Sequence, residues 1–239
     1  MGRAHEVRKV AMEKTAAAKS KLYAKYGKEI YMAAKSGSPD PDSNQVLKKI
    51  IEKAKKEQVT ADIIKRSIEK AIGGSDENYI EVRYEGFGPG TSMIIVECLT
   101  DNVNRTISVV RNAFTKTGGK LGVTGSTRHQ FNHVAVFSVA GVTEDEMLEM
   151  LVMNDLNFSE LEVDDESATI IGEANDYSAI RTAITDAKPE IDFATDELMW
   201  LPIMEATLDD EEDQSKFDRL IQMLDELDDV QNVYHNIKL

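Results

Sequence analysis

Two glycine clusters are the first stretches whose residue types invite a phosphate-binding reading. Gly86-Phe87-Gly88-Pro89-Gly90 is spaced like part of a dinucleotide loop, but such a loop must open a helix so that its first amides face pyrophosphate, and here a strand follows. The Pro-Gly pair marks a tight turn between two strands instead. The second cluster, Gly118-Gly119-Lys120-Leu121-Gly122-Val123-Thr124-Gly125-Ser126, fails as a P-loop, because Leu121 follows Lys120 and Phe114 holds the earlier glycine position. No ATP site and no cofactor is implied. The bare backbone of that cluster can still approach a phosphate closely, with Arg128 beside it.

Metal and nucleophile chemistry find less support. His129 and His133 are four residues apart, which on a strand is a span of about 13 Å, too far for both to reach one zinc. His5 and His235 stand beside no nucleophile motif. Cys98 is the one cysteine, so an intrachain disulfide and a four-cysteine metal site are excluded; its alternation with Ile94 and Val96 places it as a buried thiol in a strand. Asp101-Asn102-Val103-Asn104-Arg105-Thr106 is different. Asp101 or Asn102 can cap a helix, which leaves Asn104 and Arg105 in its first turn. A cation there opposes the helix dipole and needs a phosphate or acidic contact to justify it.

The remaining chemistry is electrostatic. The 239 residues carry a net charge of −15, yet residues 1–72 hold 17 Lys+Arg against 9 Asp+Glu, whereas residues 132–239 hold 5 against 28. A basic head on an acidic body is a compositional sign of a polyanion partner. Residues 1–28 present Arg3, Arg8, Lys9, Lys14, Lys19, Lys21, Lys25 and Lys28 among alanines and read as a mobile or loosely helical arm that buries no core and orders on phosphates. No uncharged apolar run approaches the ~18 residues of a membrane span, and the start lacks a secretory signal. A reducing cytoplasm and no membrane partner are expected.

The elements that would position these groups follow from periodicity. Leu22, Tyr26, Ile30 and Ala33 mark a first helix, stopped by Ser36-Gly37-Ser38-Pro39. Asp42 with Gln45 then caps a second helix, burying Leu47, Ile50, Ile51 and Ala54 and displaying Lys48, Lys49, Lys53, Lys55 and Lys56. Thr60 caps a third, with Ile64, Ile68, Ala71 and Ile72 inward, Lys65, Arg66 and Lys70 outward, and Gly73-Gly74 at its end. Three short helices make a small bundle. From residue 132 the order is βαββαβ, the ferredoxin-like split motif, with a capping box at Thr143 and Glu146. The flanks supply βαβ, an interruption and βαβ: strands at 91–99, near 128–132, at 199–207 and at 231–237. The expected class is therefore α+β, with a basic arm and three-helix bundle (1–77), a discontinuous ferredoxin-like domain (78–131 with 199–239) and a second ferredoxin-like domain inserted into it (132–198).

Longer motifs add a resemblance. Tyr23-Ala-Lys-Tyr-Gly-Lys-Glu-Ile, Pro39-Asp-Pro-Asp-Ser-Asn44, Ala71-Ile-Gly-Gly74, Tyr84-Glu-Gly-Phe-Gly-Pro-Gly-Thr-Ser-Met-Ile-Ile-Val-Glu, Thr100-Asp-Asn-Val-Asn-Arg-Thr106 and the 118–126 cluster together resemble the YebC/YeeN family over essentially the whole chain. The start departs from the family, whose members commonly carry a Trp and an Ile-Lys basic stretch there; this chain reads Arg3-Ala-His-Glu-Val-Arg-Lys9 and has its one Trp at 200. The resemblance implies a cytosolic, non-enzymatic protein of three domains. The family is described as DNA-binding transcriptional regulators, and relatives, including a mitochondrial translational activator, act on the ribosome to relieve stalling.

Three functions are then open. The first is a regulator that grips duplex DNA through Arg3, Arg8, Lys9, Lys14, Lys19, Lys21, Lys25, Lys28, Lys48 and Lys49, with Asn104, Arg105, Lys120 and Arg128 as further contacts. The second is a ribosome-associated translation factor whose arm meets ribosomal RNA. The third is an adaptor whose acidic body docks a basic protein. A hydrolase lacks any recognisable set of nucleophile, base and orienting group, and no metal is implied.

Overall fold

The structure is a computed structural model that describes residues 19–74, 77–164 and 167–238. The fold is α+β, and among the described residues it comprises seven α-helices and two four-stranded antiparallel sheets. The described chain forms two compact units, one of residues 19–129 with 205–238 and one of residues 130–204.

Helices α1 (Lys19–Ser36), α2 (Gln45–Lys56) and α3 (Ala61–Ile72) meet where the periodicity places them, in a core of Tyr26, Ile30, Ala33, Leu47, Ile51, Ala54 and Ile64. Three details differ from expectation. Asn44, not Asp42, caps α2: its Oδ1 accepts from the Leu47 amide at 3.0 Å, while its Nδ2 donates to the carbonyls of Ala33 and Ser38 at 2.9 and 2.8 Å. One amide side chain thus starts α2 and closes the end of α1. Ile72 is 64% exposed rather than inward, because α3 ends there. Nor is the segment up to residue 28 without a core, since Tyr26 is buried within α1.

In the same unit β1 (Ile80–Phe87) and β2 (Met93–Thr100) form a hairpin. Its turn carries Pro89 and Gly90, and Gly90 sits at φ +58°, which only glycine adopts without cost. Helix α4 (Val103–Lys116), the two-residue strand β3 (Lys120–Leu121), helix α7 (Glu211–Asp225) and strand β8 (Val230–His235) complete it. The sheet order is β3-β1-β2-β8. Ile94, Val96, Cys98, Val110, Phe114, Phe217, Leu220 and Leu224 fill the layer between sheet and helices.

The other unit runs β4 (Phe131–Ala140), α5 (Glu144–Met153), β5 (Phe158–Val163), β6 (Ser167–Glu173), α6 (Tyr177–Ala187) and β7 (Phe193–Pro202), with sheet order β5-β6-β4-β7. This is the ferredoxin-like arrangement. Phe137, Met147, Leu151, Ile170, Ile180 and Ile184 are its fully enclosed core, and the Thr143–Glu146 capping box is formed.

Two expected strands are corrected. Residues 128–130 form a single 3₁₀ turn, and the strand that follows belongs to the 130–204 unit. The segment 199–207 is not a strand of the first unit either: residues 193–202 are one strand paired along its length with β4, from Val139↔Phe193 to Phe131↔Pro202. The vacant place in the first sheet is taken by β1. Laid beside the second sheet, β3-β1-β2-β8 matches β5-β6-β4-β7 position by position, so the place that the third strand in sequence fills in one is filled in the other by a strand that precedes the motif.

Candidate nucleic-acid interface

The helical unit displays its cations in two different ways. On the outer rows of α2 and α3, Lys48, Lys55, Lys65 and Arg66 are exposed, the last two in i,i+4 pairs with Glu69 and Asp62. Exposed pairs of that kind contribute little and exchange readily for another anion. Lys49, on the same helix, is half-buried.

Three lysines of α1 are committed to the chain's own oxygens. The Lys21 ammonium donates to the Asp225 carbonyl, Lys25 to the Gln231 carbonyl at 2.8 Å and Asn232 Oδ1 at 2.9 Å, and Lys28 to the Asp228 carbonyl at 2.9 Å and Asp229 Oδ1 at 2.7 Å. Burial lowers the Lys21 pKa, against the pull of nearby Asp225. These three side chains, expected on phosphates, are spent on the end of α7 and the start of β8. Arg3, Arg8, Lys9 and Lys14 lie outside the described residues, as does the side chain of Lys19.

Asp229 is the centre of that seam. Its carboxylate, 8% exposed, receives Lys28, Arg105 Nη2 at 2.9 Å, and the hydroxyls of Thr106 at 2.7 Å and Thr100 at 3.2 Å. Burial would raise its pKa, but the Lys28, Arg105 and Thr106 hydrogen bonds outweigh it and hold the group at about 2. Arg105 also reaches Asp101 Oδ1 at 2.7 Å. The cation in the first turn of α4, capped by Asn102, is thus explained by acidic contacts within the chain, and its pKa is raised by them. Asn104 beside it is exposed.

The glycine cluster is pinned by a second buried acid. Glu85, 3% exposed, accepts from the amides of Gly125 at 2.7 Å, Thr127 at 2.8 Å and Arg128 at 2.8 Å. Gly125 lies at φ +87°, a conformation that lets its amide turn toward the carboxylate. Burial raises the Glu85 pKa, but the amide bonds together outweigh it and leave it below the ordinary carboxylate value. The amide cradle that was a candidate for phosphate is therefore filled by the protein's own carboxylate, while Lys120 and Arg128 remain exposed at its rim.

Asp229 and Glu85 both escape a reading of the sequence. The first sits in an Asp-rich run, Leu227-Asp228-Asp229, and the second on a strand whose alternation, with buried Glu85 between half-buried Tyr84 and buried Gly86, is the one available signal.

Cys98 is 2% exposed, and burial, with Asp229 nearby, pushes its thiol up to about 12. In the native protein at pH 8 a thiol reagent is expected to label Cys98 at less than about a hundredth of the rate seen in denaturant, measurable by mass spectrometry. His129 lies on the 3₁₀ turn, not on a strand with His133, and His133 instead stacks on Trp200 with ring centroids 4.4 Å apart. Among the described residues no group of three His, Cys, Asp or Glu side chains could hold a metal ion, and no helix is long and apolar enough to cross a membrane.

Comparison with known proteins adds family evidence. A family model for the TACO1/YebC protein N-terminal domain matches residues 3–74, and one for the TACO1/YebC second and third domain matches residues 79–237. A probable transcriptional regulatory protein of Acholeplasma laidlawii (strain PG-8A) is 56% identical over 237 residues, covering 99% of this chain and 98% of the relative. Another, from Alteromonas mediterranea, is 50% identical over 236 residues, with 99% and 98% covered. The crystal structure of a conserved hypothetical protein from Aquifex aeolicus aligns with a TM-score of 0.77 at 33% identity, covering 94% of this chain and 92% of that one.

Proposed function

The chain belongs to the TACO1/YebC family, and on that premise we propose that it is a non-enzymatic, cytoplasmic regulator of gene expression that grips nucleic acid through its arm and the outer rows of the bundle. The observation that carries this reading is the division of labour among the lysines. Lys21, Lys25 and Lys28 of α1 are consumed by the molecule's own oxygens, whereas Lys48, Lys55, Lys65 and Arg66 stand exposed on α2 and α3. Phosphate contacts from such rows position a protein on a polyanion without reading its sequence. The strongly acidic 130–204 unit would then be the part that docks a basic protein.

The test is equilibrium binding of the full chain to a labelled DNA duplex and to ribosomal RNA between 50 and 200 mM salt. Affinity is expected to fall roughly tenfold or more across that range. The double variant Lys48→Glu, Lys55→Glu should lower it about tenfold and reduce the salt slope by about 2, with the melting temperature unchanged. Lys21→Ala with Lys25→Ala should do the reverse, costing stability more than affinity. A salt-independent affinity, or an affinity untouched by the first double variant, overturns the reading. Co-sedimentation with ribosomes at the same ionic strength separates the translation-factor form of the function from the promoter-binding form.

A further inference from the structure

A long stretch ahead of the acidic body holds no acid. Between Asp101 and Glu144 there is no Asp or Glu, and in the first unit this covers α4, β3, the glycine loop and the 3₁₀ turn. With 43 acids among 239 residues, about five would fall by composition alone in the 28 residues from 102 to 129. That stretch instead carries Arg105, Arg111, Lys116, Lys120 and Arg128. Of these, Arg105 is taken up by Asp229 and Asp101. Lys116 ends α4 and is exposed, and Lys120 is exposed on β3, the edge strand of the sheet.

An exposed aromatic stands at the same edge. Phe87, 41% exposed, is the direct cross-strand partner of Lys120, so both side chains lie on one face of the sheet, two residues along from Glu85. Beside them is the loop that Glu85 pins at the amides of Gly125, Thr127 and Arg128, with a further bond from the Gly122 amide to the Glu85 carbonyl at 2.8 Å. Val123, 78% exposed, is presented by that loop. A segment with glycines at 118, 119, 122 and 125 would otherwise sample many conformations. Holding it with a buried carboxylate fixes the loop that carries Val123 beside the Phe87–Lys120 pair, in a stretch of chain without an acid. An exposed ring with a cation as its cross-strand neighbour suits a base with its phosphate, and duplex bases offer no free face to a ring.

We propose that this edge is a second nucleic-acid site, separate from the lysine rows of the bundle, which takes an unpaired strand by stacking a base on Phe87 and holding the adjoining phosphates with Lys120 and Lys116. It rests on the nucleic-acid reading above and specifies the form of nucleic acid. Glu85 is a positioning residue, since it reaches the strand only through the loop.

The test compares binding of the full chain to an unstructured single-stranded RNA oligonucleotide and to a duplex of similar length. Phe87→Ala, at an exposed position, should weaken single-strand binding at least about fivefold and leave duplex binding within about twofold. Lys116→Glu with Lys120→Glu should weaken the single strand and flatten its salt dependence. Glu85→Gln, which removes the charge that gathers the amides, should move single-strand affinity in the same direction as Phe87→Ala, with hydrogen exchange at residues 122–128 accelerated. Single-strand affinity unchanged by Phe87→Ala overturns the proposal, as it would if the edge serves a protein partner. Equal losses on single strand and duplex overturn base stacking. If Lys48→Glu with Lys55→Glu has no effect while Phe87→Ala does, the bundle reading fails and this site stands.

Discussion

Replacing Asp229 by Ala is expected to destabilise the protein by about 3–5 kcal/mol, the usual cost of removing one partner from a buried ion pair and leaving the others uncompensated. Lys28, Arg105 and the Thr100 and Thr106 hydroxyls would lose their common acceptor at once. For a chain of this length that corresponds to a fall in Tm of roughly 6–20 °C, measured by calorimetry at pH 7. The pH dependence has a definite sign. Asp229 titrates at about 2 in the folded chain against 3.8 ordinarily, so its contribution is complete above pH 3.8 and is lost as pH falls from there toward 2. The stability of Asp229→Asn should therefore be flatter than that of the parent between pH 4 and 2. Parallel curves would show that the carboxylate charge contributes nothing to holding α1 against β8.

A second large effect is expected in the other unit. Phe137 is fully buried, with Tyr177 and Phe193 rings at 5.1 and 6.0 Å, and Phe137→Ala should cost about 3–5 kcal/mol. A domain of this size has only about 4–11 kcal/mol in total, so much of the margin of residues 130–204 disappears. We expect limited proteolysis of the variant to cut within 130–204 first, with α1–α3 still protected, and duplex affinity to stay within about twofold of the parent. Cuts appearing at the same rate throughout the chain would mean that the two units unfold as one.

The sequence makes visible what short-range physics controls. Apolar spacing locates α1, α2 and α3, the Thr143–Glu146 pair announces α5, and the order of elements from β4 to β7 spells out the split motif. What it hides depends on long separations. That β1 takes the third place in the first sheet is decided by pairing with both β2 and β3, and a strand preceding the motif carries no local mark of it. The residues at 199–202 have a strand pattern whichever sheet they join, and only β4 settles it. The site divides along the same line. The exposure of Lys48 follows from the helical period, whereas the fate of Lys28 is set by an acid 201 residues away. Arg105 was legible as a cation needing a reason, and of its two acidic partners Asp101 stood within the motif while Asp229 lay beyond any window. Glu85 was the least legible, because a carboxylate bound by three main-chain amides has no side-chain partner to pair with it in the sequence.

The seam between α1 and β8 also has a consequence for the order in which the chain is made. Residues 225–232, which receive Lys21, Lys25 and Lys28, are synthesised after every other element of the first unit has been made, and β8 closes the sheet on β2, whose residues are more than a hundred positions earlier. The 130–204 unit contains all of its own strands and helices and can fold while the first unit still waits for its last helix and strand. Contacts of such long separation are reached slowly. During that interval the nascent bundle carries three uncompensated ammonium groups close to a machine built of RNA, and the emergence of residues 225–232 is the event that withdraws them.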